Sequence, residues 1–177
     1  QVHTDLVSLN SEKFSLVVVG EFSRGKSTFI NALLGERILP SSKEPTTNVI
    51  NRIIYGDNNG DYLIHYRDGT VKVVGESEFR DIKAQKEPLD GSAVDRSCIE
   101  KLGNFDSIEY VEIKRNLDFC KGNVEIVDTP GTNDLNVGRM EITYNYLNKA
   151  DAAILVLSAT QAYSKSEDEF LRERILG

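Results

Sequence analysis

Cysteine is scarce in this chain. Cys98 and Cys120 are the only two, too few and too scattered for a disulfide framework or a metal knuckle, and they read as reduced, packed thiols of a cytosolic protein. Basic charge is short as well. Against 28 acidic residues stand 21 lysines and arginines, a formal net charge of −7. The chain therefore lacks the basic face that nucleic acid, or direct docking on an anionic membrane, would need. Long apolar runs are missing too. Leu16–Val19 and Ala152–Leu157 are the longest candidates, strand-sized and far below the roughly 20 residues of a membrane span. The polar start QVHTDLVSLNSEK has no apolar core and excludes a signal peptide. Because the chain opens on Gln1 rather than Met and stops at Gly177, it reads as an excerpt of something longer.

What is present suits one α/β domain. A length of 177 residues, 40% of them hydrophobic, allows one core and not two. Phe14–Val19 is an apolar, β-branched run ending at Gly20, the pattern of a strand buried on both faces in a parallel sheet. A loop and then a helix over Ser27–Leu34 follow, with Phe29, Ile30, Leu33 and Leu34 at helical spacing and Gly35 as the expected C-cap. After the polar loop SSKEPTTN come short alternating runs at Val49–Tyr55, Tyr62–Tyr66 and Thr70–Val74. Turn signals at DNNG and RDG separate them, predicting an antiparallel meander. Further helices are expected over Glu76–Gln85, Ala93–Leu102, Met140–Leu147 and Glu167–Ile175, and further strands at Ile108–Lys114, Val124–Val127 and Ala152–Leu157. The expected fold is a mostly parallel sheet with helices on both faces and an inserted antiparallel region.

Two motifs carry chemistry. Residues 20–27 read GEFSRGKS, matching G-x-x-x-x-G-K-[ST] between a buried strand and a helix, the context a P-loop requires. Gly20 and Gly25 let successive amides curl inward into an anion nest at a helix N-terminus. Lys26 offers a mobile charge to the β- and γ-phosphates, Ser27 a hydroxyl to Mg²⁺, and Thr28 lies within reach of the α-phosphate. Residues 128–131 read DTPG at the end of an apolar strand. In P-loop NTPases such an Asp holds Mg²⁺ and the glycine amide contacts the γ-phosphate, which assigns those roles to Asp128 and Gly131. Alone, DTPG would be an ordinary turn; with a P-loop upstream the two form one site. Between them, in PTTN, Thr46 and Thr47 compete to complete the Mg²⁺ shell.

The run VVVGEFSRGKSTFINALLGERILP, then PTTN and VEIVDTPG, resembles the GTPase domain of the dynamin superfamily, most of all bacterial dynamin-like proteins; mitofusins share the LP…TTN pattern. The resemblance covers the chain from about Phe14 to Gly177. The 102 residues from Lys26 to Asp128 are far more than small signalling GTPases use and fit a dynamin-like domain with inserted strands. The resemblance implies GTP binding and hydrolysis with GTP and GDP as substrate and product. It implies a nucleotide-dependent homodimer through the GTPase face, and membrane remodelling through parts absent here, so that the cytoplasmic protein could sit peripherally on a membrane. It selects Thr47 as the switch ligand to the metal, and gives Ser23 the role of the serine that helps hold a monovalent cation. By analogy with relatives carrying an arginine finger in this loop, Arg24 is a catalytic candidate, although theirs lies one residue earlier. The catalytic set so implied is Lys26, Thr47, Ser23 and Arg24.

The chain also departs from its relatives. The P-loop position that carries a catalytic Gln in dynamins is Phe22 here, and Thr132 follows the DTPG where a small GTPase often has Gln. Water positioning then falls to backbone groups, Thr47 or a group supplied in trans. The string NKAD at Asn148–Asp151 imitates the guanine-reading motif but precedes its strand, so it should lie at the wrong edge of the sheet. The genuine motif is expected one helix and one strand past the end, which leaves guanine resting on resemblance and predicts weak nucleotide binding and a bare sheet edge for the excerpt alone. Two other readings stay open: a nucleotide-switched binding module with little turnover, and a P-loop ATPase.

Overall fold

The computed structural model describes residues 13–39, 49–57, 60–79, 107–132, 143–160 and 163–175. Within them, seven strands form one sheet in the order β4-β3-β5-β2-β6-β1-β7. The strands are β1 (Phe14–Val19), β2 (Ile50–Tyr55), β3 (Tyr62–Tyr66), β4 (Val71–Val74), β5 (Ile108–Arg115), β6 (Val124–Asp128) and β7 (Ala152–Leu155). β1 runs parallel to both β6 and β7. Its last three residues, Val17, Val18 and Val19, are fully buried, as a β-branched run between two parallel neighbours should be.

The register fixes what lies at the edge that matters. Val18 pairs with Asp128 and Val19 with Leu155, so the loops after β1, β6 and β7 emerge together. β2 meets β6 antiparallel, with Asn51 opposite Asp128. The start of β2 therefore reaches the same corner.

The expected meander is not what forms. β3 and β4 make the antiparallel hairpin, but β5 inserts between β2 and β3, parallel to β2 and antiparallel to β3. Local alternation reports which residues share a face of a strand; it says nothing about which strand becomes the neighbour. The sheet is thus mixed rather than mostly parallel: β7-β1, β1-β6 and β2-β5 pair parallel, and β6-β2, β5-β3 and β3-β4 antiparallel.

Two cores flank the sheet. On one face Ile30 and Leu34 of helix α1 (Lys26–Leu34), with Ile38 and Leu39, pack on Val18, Ile53, Ile126, Val111 and Ile113. On the other, Phe170 of helix α2 (Lys165–Phe170) packs with Val17, Val19, Ile50 and Val127, joined by Tyr144, Tyr146 and Leu147. Gly35, at φ 72°, closes α1 as the sequence suggests. Burial follows Lys26, Ile30 and Leu34, at i, i+4 and i+8, leaving Phe29 and Leu33 exposed. The expected apolar stripe is thus only half used. A π-helical turn, Leu171–Ile175, continues α2. Residues 76–79 and 143–147 are helical; the rest of the helices expected over 76–85 and 140–147, and all of that over 93–102, lie outside the described residues.

Candidate nucleotide and metal site

The loop after β1 adopts the backbone that the glycine spacing demands. Gly20, Ser23 and Gly25 have φ of 152°, 60° and 89°, a series of positive angles that turns consecutive amides toward one concavity. Gly20 also comes so near β7 that a Cβ there would stand 2.5 Å from the Val156 carbonyl oxygen. Ser23, exposed at the apex, holds a left-handed conformation uncommon for a residue with a side chain.

Lys26 opens α1 and is 93% buried, 7% of it remaining exposed. Its ammonium donates to the carbonyls of Gly20 and Glu21, at 3.0 and 3.1 Å. Burial pushes its pKa down while the charge of Asp128 opposes the shift. The loop thus supplies stand-in acceptors for a cation whose stronger partner would be a polyphosphate.

The second motif arrives on β6. Ser27 Oγ donates to Asp128 Oδ2 at 3.1 Å, and Asp128 is fully buried. Thr129, also fully buried, donates its hydroxyl to the Val18 carbonyl at 2.9 Å. The Thr132 amide donates to the Gly20 carbonyl at 3.1 Å. Gly131 is pressed against the loop, where a Cβ would stand 2.7 Å from Phe22 N and 2.8 Å from Phe22 Cα. DTPG and the phosphate loop are therefore stitched into one surface by backbone contacts.

This corner fits Mg²⁺. A hydroxyl and a carboxylate converge within one hydrogen-bond length, both hard oxygen donors. Among the described residues no cluster of three or more His, Cys, Asp or Glu side chains gathers. One carboxylate and one hydroxyl, with the remaining positions left to water and phosphate, is how Mg²⁺ is held beside a nucleotide.

The sequence candidates divide accordingly. Gly20, Gly25, Lys26, Ser27, Asp128 and Gly131 are brought together. Thr28 sits exposed on the first turn of α1. Thr47 lies outside the described residues. Arg24 is drawn sideways: its guanidinium pairs with Glu21 at 2.6 Å and with Glu167 of α2 at 3.0 Å. Sequence reasoning missed Asn51, fully buried with its amide 3.5 Å from Asp128 Oδ2. Its signal was a polar residue inside the apolar strand INRIIY. It missed Glu21 and Glu167 as well, because nothing local ties residues that are far apart in the chain.

Asp151 settles the imitation motif. Its carboxylate accepts from the Ser15 amide at 2.7 Å, at the beginning of β1, whereas the phosphate loop leaves the end of that six-residue strand. The two are roughly 17 Å apart along it, five residues at about 3.3 Å each. A cavity of about 810 Å³ opens at that same remote end. Of its charged lining, Glu125 is paired with Lys13 and Arg52, at 2.6 and 2.8 Å.

The family model for the dynamin family matches residues 16–177. The chain belongs to the dynamin family. A bacterial dynamin-like protein of Nostoc punctiforme is 34% identical over 96% of this chain and 24% of its own length. A probable transmembrane GTPase, FZO-like and chloroplastic, of Arabidopsis thaliana is 36% identical over 95% of the chain and 14% of its own length. Dynamin-like protein 1 of Campylobacter jejuni is 32% identical over 90% of the chain and 25% of itself. Among solved structures, an oligomerised bacterial dynamin pair described as sensing and tethering membranes superposes with a TM-score of 0.65. It is 25% identical and covers 97% of this chain and 32% of the other. The chain thus spans about a quarter of the length of these bacterial dynamin relatives. Among its described residues no helix is long and apolar enough to cross a membrane.

Proposed function

We propose that the protein is a GTP hydrolase of the dynamin kind, its turnover coupled to nucleotide-dependent self-association and, through segments its longer relatives carry, to membrane remodelling. One observation carries the chemistry: Ser27 Oγ stands 3.1 Å from Asp128 Oδ2, where adjacent parallel strands deliver the phosphate loop and the DTPG turn to one corner. The loop amides cradle the β-phosphate, and the Lys26 ammonium leaves its two carbonyls for the β- and γ-phosphates. Ser27 and Asp128, with Thr47, would hold Mg²⁺, which would offset negative charge on the transferring phosphoryl group. The Gly131 amide donates to the γ-phosphate. Ser23 stands at the loop apex for a monovalent cation, and Thr28 for the α-phosphate. Phe22 offers no hydrogen bond to water, so the attacking water is ordered by backbone groups, by Thr47 or by a second copy facing the nucleotide. Guanine preference comes with the family, since Asp151 is committed elsewhere.

Phosphate release by the full-length protein tests this. The rate per molecule should climb as protein concentration rises, and ATP should compete at least about 100-fold more weakly than GTP. Lys26→Ala should abolish triphosphate binding and leave the fold intact. A rate per molecule that stays flat and negligible at every concentration would favour a nucleotide-switched binding module. Its support would be Phe22, which has no polar group to offer the water, and the double pairing of Arg24 with Glu21 and Glu167.

A further inference from the structure

The ion-paired cluster at the loop apex is the feature that the phosphate chemistry leaves unused. Glu21 follows the first glycine of the loop, and its two ends face different things. Its main-chain carbonyl accepts from Lys26 at 3.1 Å. Its carboxylate is gripped from the side, by the Arg24 guanidinium at 2.6 Å, by the Ser164 hydroxyl at 3.2 Å and by the Ser166 hydroxyl. Both serines belong to the start of α2. Ser164 is its N-cap, accepting from the Glu167 amide at 3.1 Å, while Glu167 Oε2 accepts from the Ser164 amide at 2.8 Å. That capping box aims the other Glu167 oxygen at Arg24, 3.0 Å away.

Solvent is nearly excluded from this cluster. Glu21 is 8% exposed, Glu167 2%, and the Arg24 side chain 9%. Burying three charges is costly unless each is matched and hydrogen-bonded; here the guanidinium hydrogen-bonds Glu21 and meets Glu167 as an ion pair at 3.0 Å without hydrogen-bond geometry, while hydroxyls and an amide serve the other carboxylate oxygens. Such a cluster has few ways to rearrange. It fixes the direction of Glu21, and with it the carbonyl on which Lys26 rests.

We propose that Glu167, acting through Arg24 and Glu21, is a positioning residue for the phosphate loop: the first turn of α2 holds the loop in the shape that receives a triphosphate. Arg24 works sideways in this arrangement, as the bridge between loop and helix. The inference rests on the phosphate-site reading above, since only there does the shape of the loop have a ligand to receive. The link also runs from the nucleotide to the helix, because whatever moves Lys26 off the Glu21 carbonyl removes one of the restraints on Glu21.

The experiment uses full-length protein and the equilibrium affinity for a non-hydrolysable GTP analogue, with thermal melting alongside. Glu167→Gln keeps the size and the capping acceptor and removes the charge facing Arg24. It should raise the dissociation constant about ten-fold, comparable to losing one charge-assisted contact. Arg24→Lys, which keeps the charge but cannot bridge two carboxylates at once, should do likewise. The double variant should be no weaker than the weaker single, because both changes break one connection. Glu169→Gln, on the exposed side of the same helix in a pair with Lys165, should leave affinity within about two-fold, the scatter expected of a surface change.

An unchanged affinity in Glu167→Gln, or losses that simply add in the double variant, would overturn the proposal even if the melting temperature fell. A higher kcat in Glu167→Gln would also overturn it, since the pairing would then be withholding Arg24 from the reaction. Should Glu167→Gln fail to fold, Ser166→Ala, which loosens Glu21 alone, decides the same question by the same affinity. Failure of the parent protein to bind the analogue would instead sink the phosphate-site reading itself.

Discussion

At the scale of single residues, the site depends as much on absent side chains as on present ones. Gly131 is the sharpest case. A methyl group there would meet Phe22 backbone atoms at 2.7 and 2.8 Å, and backbone cannot swing aside as a flexible side chain can. Gly131→Ala must therefore separate the DTPG turn from the phosphate loop, breaking the register in which the Thr132 amide meets the Gly20 carbonyl. Turnover should drop at least about 100-fold, the usual cost of displacing a transition-state donor, with melting lowered by a few degrees. Turnover within a few-fold of the parent, followed as phosphate release, would show that the turn need not touch the loop. Much at this scale was legible in the sequence, because the glycine and lysine spacing states which backbone angles and charges are required. Asn51 and Glu167 were not. Their positions follow from β2 pairing antiparallel to β6 and from α2 packing beside the loop, which are facts of tertiary structure.

At the scale of elements, α1 does more than open with a lysine. Asn31, buried within it, accepts from the Ile38 and Leu39 amides at 3.0 and 2.9 Å and donates to the Leu39 carbonyl at 2.6 Å. This one side chain ties the helix to the segment that leads on toward Thr47, while Ile38 and Leu39 enter the core beside it. Asn31→Ala leaves three buried backbone groups without partners, a cost of about 2–4 kcal/mol. Urea unfolding should show that loss as a lower midpoint with an unchanged slope. A midpoint shift equivalent to less than about 0.5 kcal/mol of stability would mean water replaces the amide. Helical spacing pointed to Phe29 and Leu33 as core, and they are exposed, whereas Asn31 is interior. A hydrophobic pattern cannot weigh a polar side chain whose partners lie eight residues on. The misplaced meander has a related origin: β5 is brought between β2 and β3 after a long excursion, and pairing across such a distance leaves no local trace.

At the scale of the whole molecule, acid should be the weak side of its stability. Three strands are bolted across the sheet where Glu125 of β6 meets Lys13 at 2.6 Å, beside β1, and Arg52 of β2 at 2.8 Å, with Arg52 also lying 4.5 Å over the Tyr110 ring of β5. Burial pushes the Glu125 carboxyl up, but hydrogen bonds from Lys13 and Arg52 and their charges outweigh it and hold its pKa below the ordinary value. The Glu21 carboxyl follows the same pattern, raised by burial and lowered further by Ser166, Arg24 and Ser164. A carboxyl with a depressed native pKa binds fewer protons folded than unfolded, so stability rises with pH across that interval. The contribution is complete above the unfolded value of about 4.5 and is lost as pH falls through the lower native one. Melting temperature should therefore be nearly level from neutral pH to about 5 and fall steeply below it. Glu125→Gln should lower it at neutral pH and flatten the acid slope, because the variant has no proton to gain there. If parent and variant lose stability in parallel between pH 5 and pH 3, the bolt across the sheet is not what acid releases.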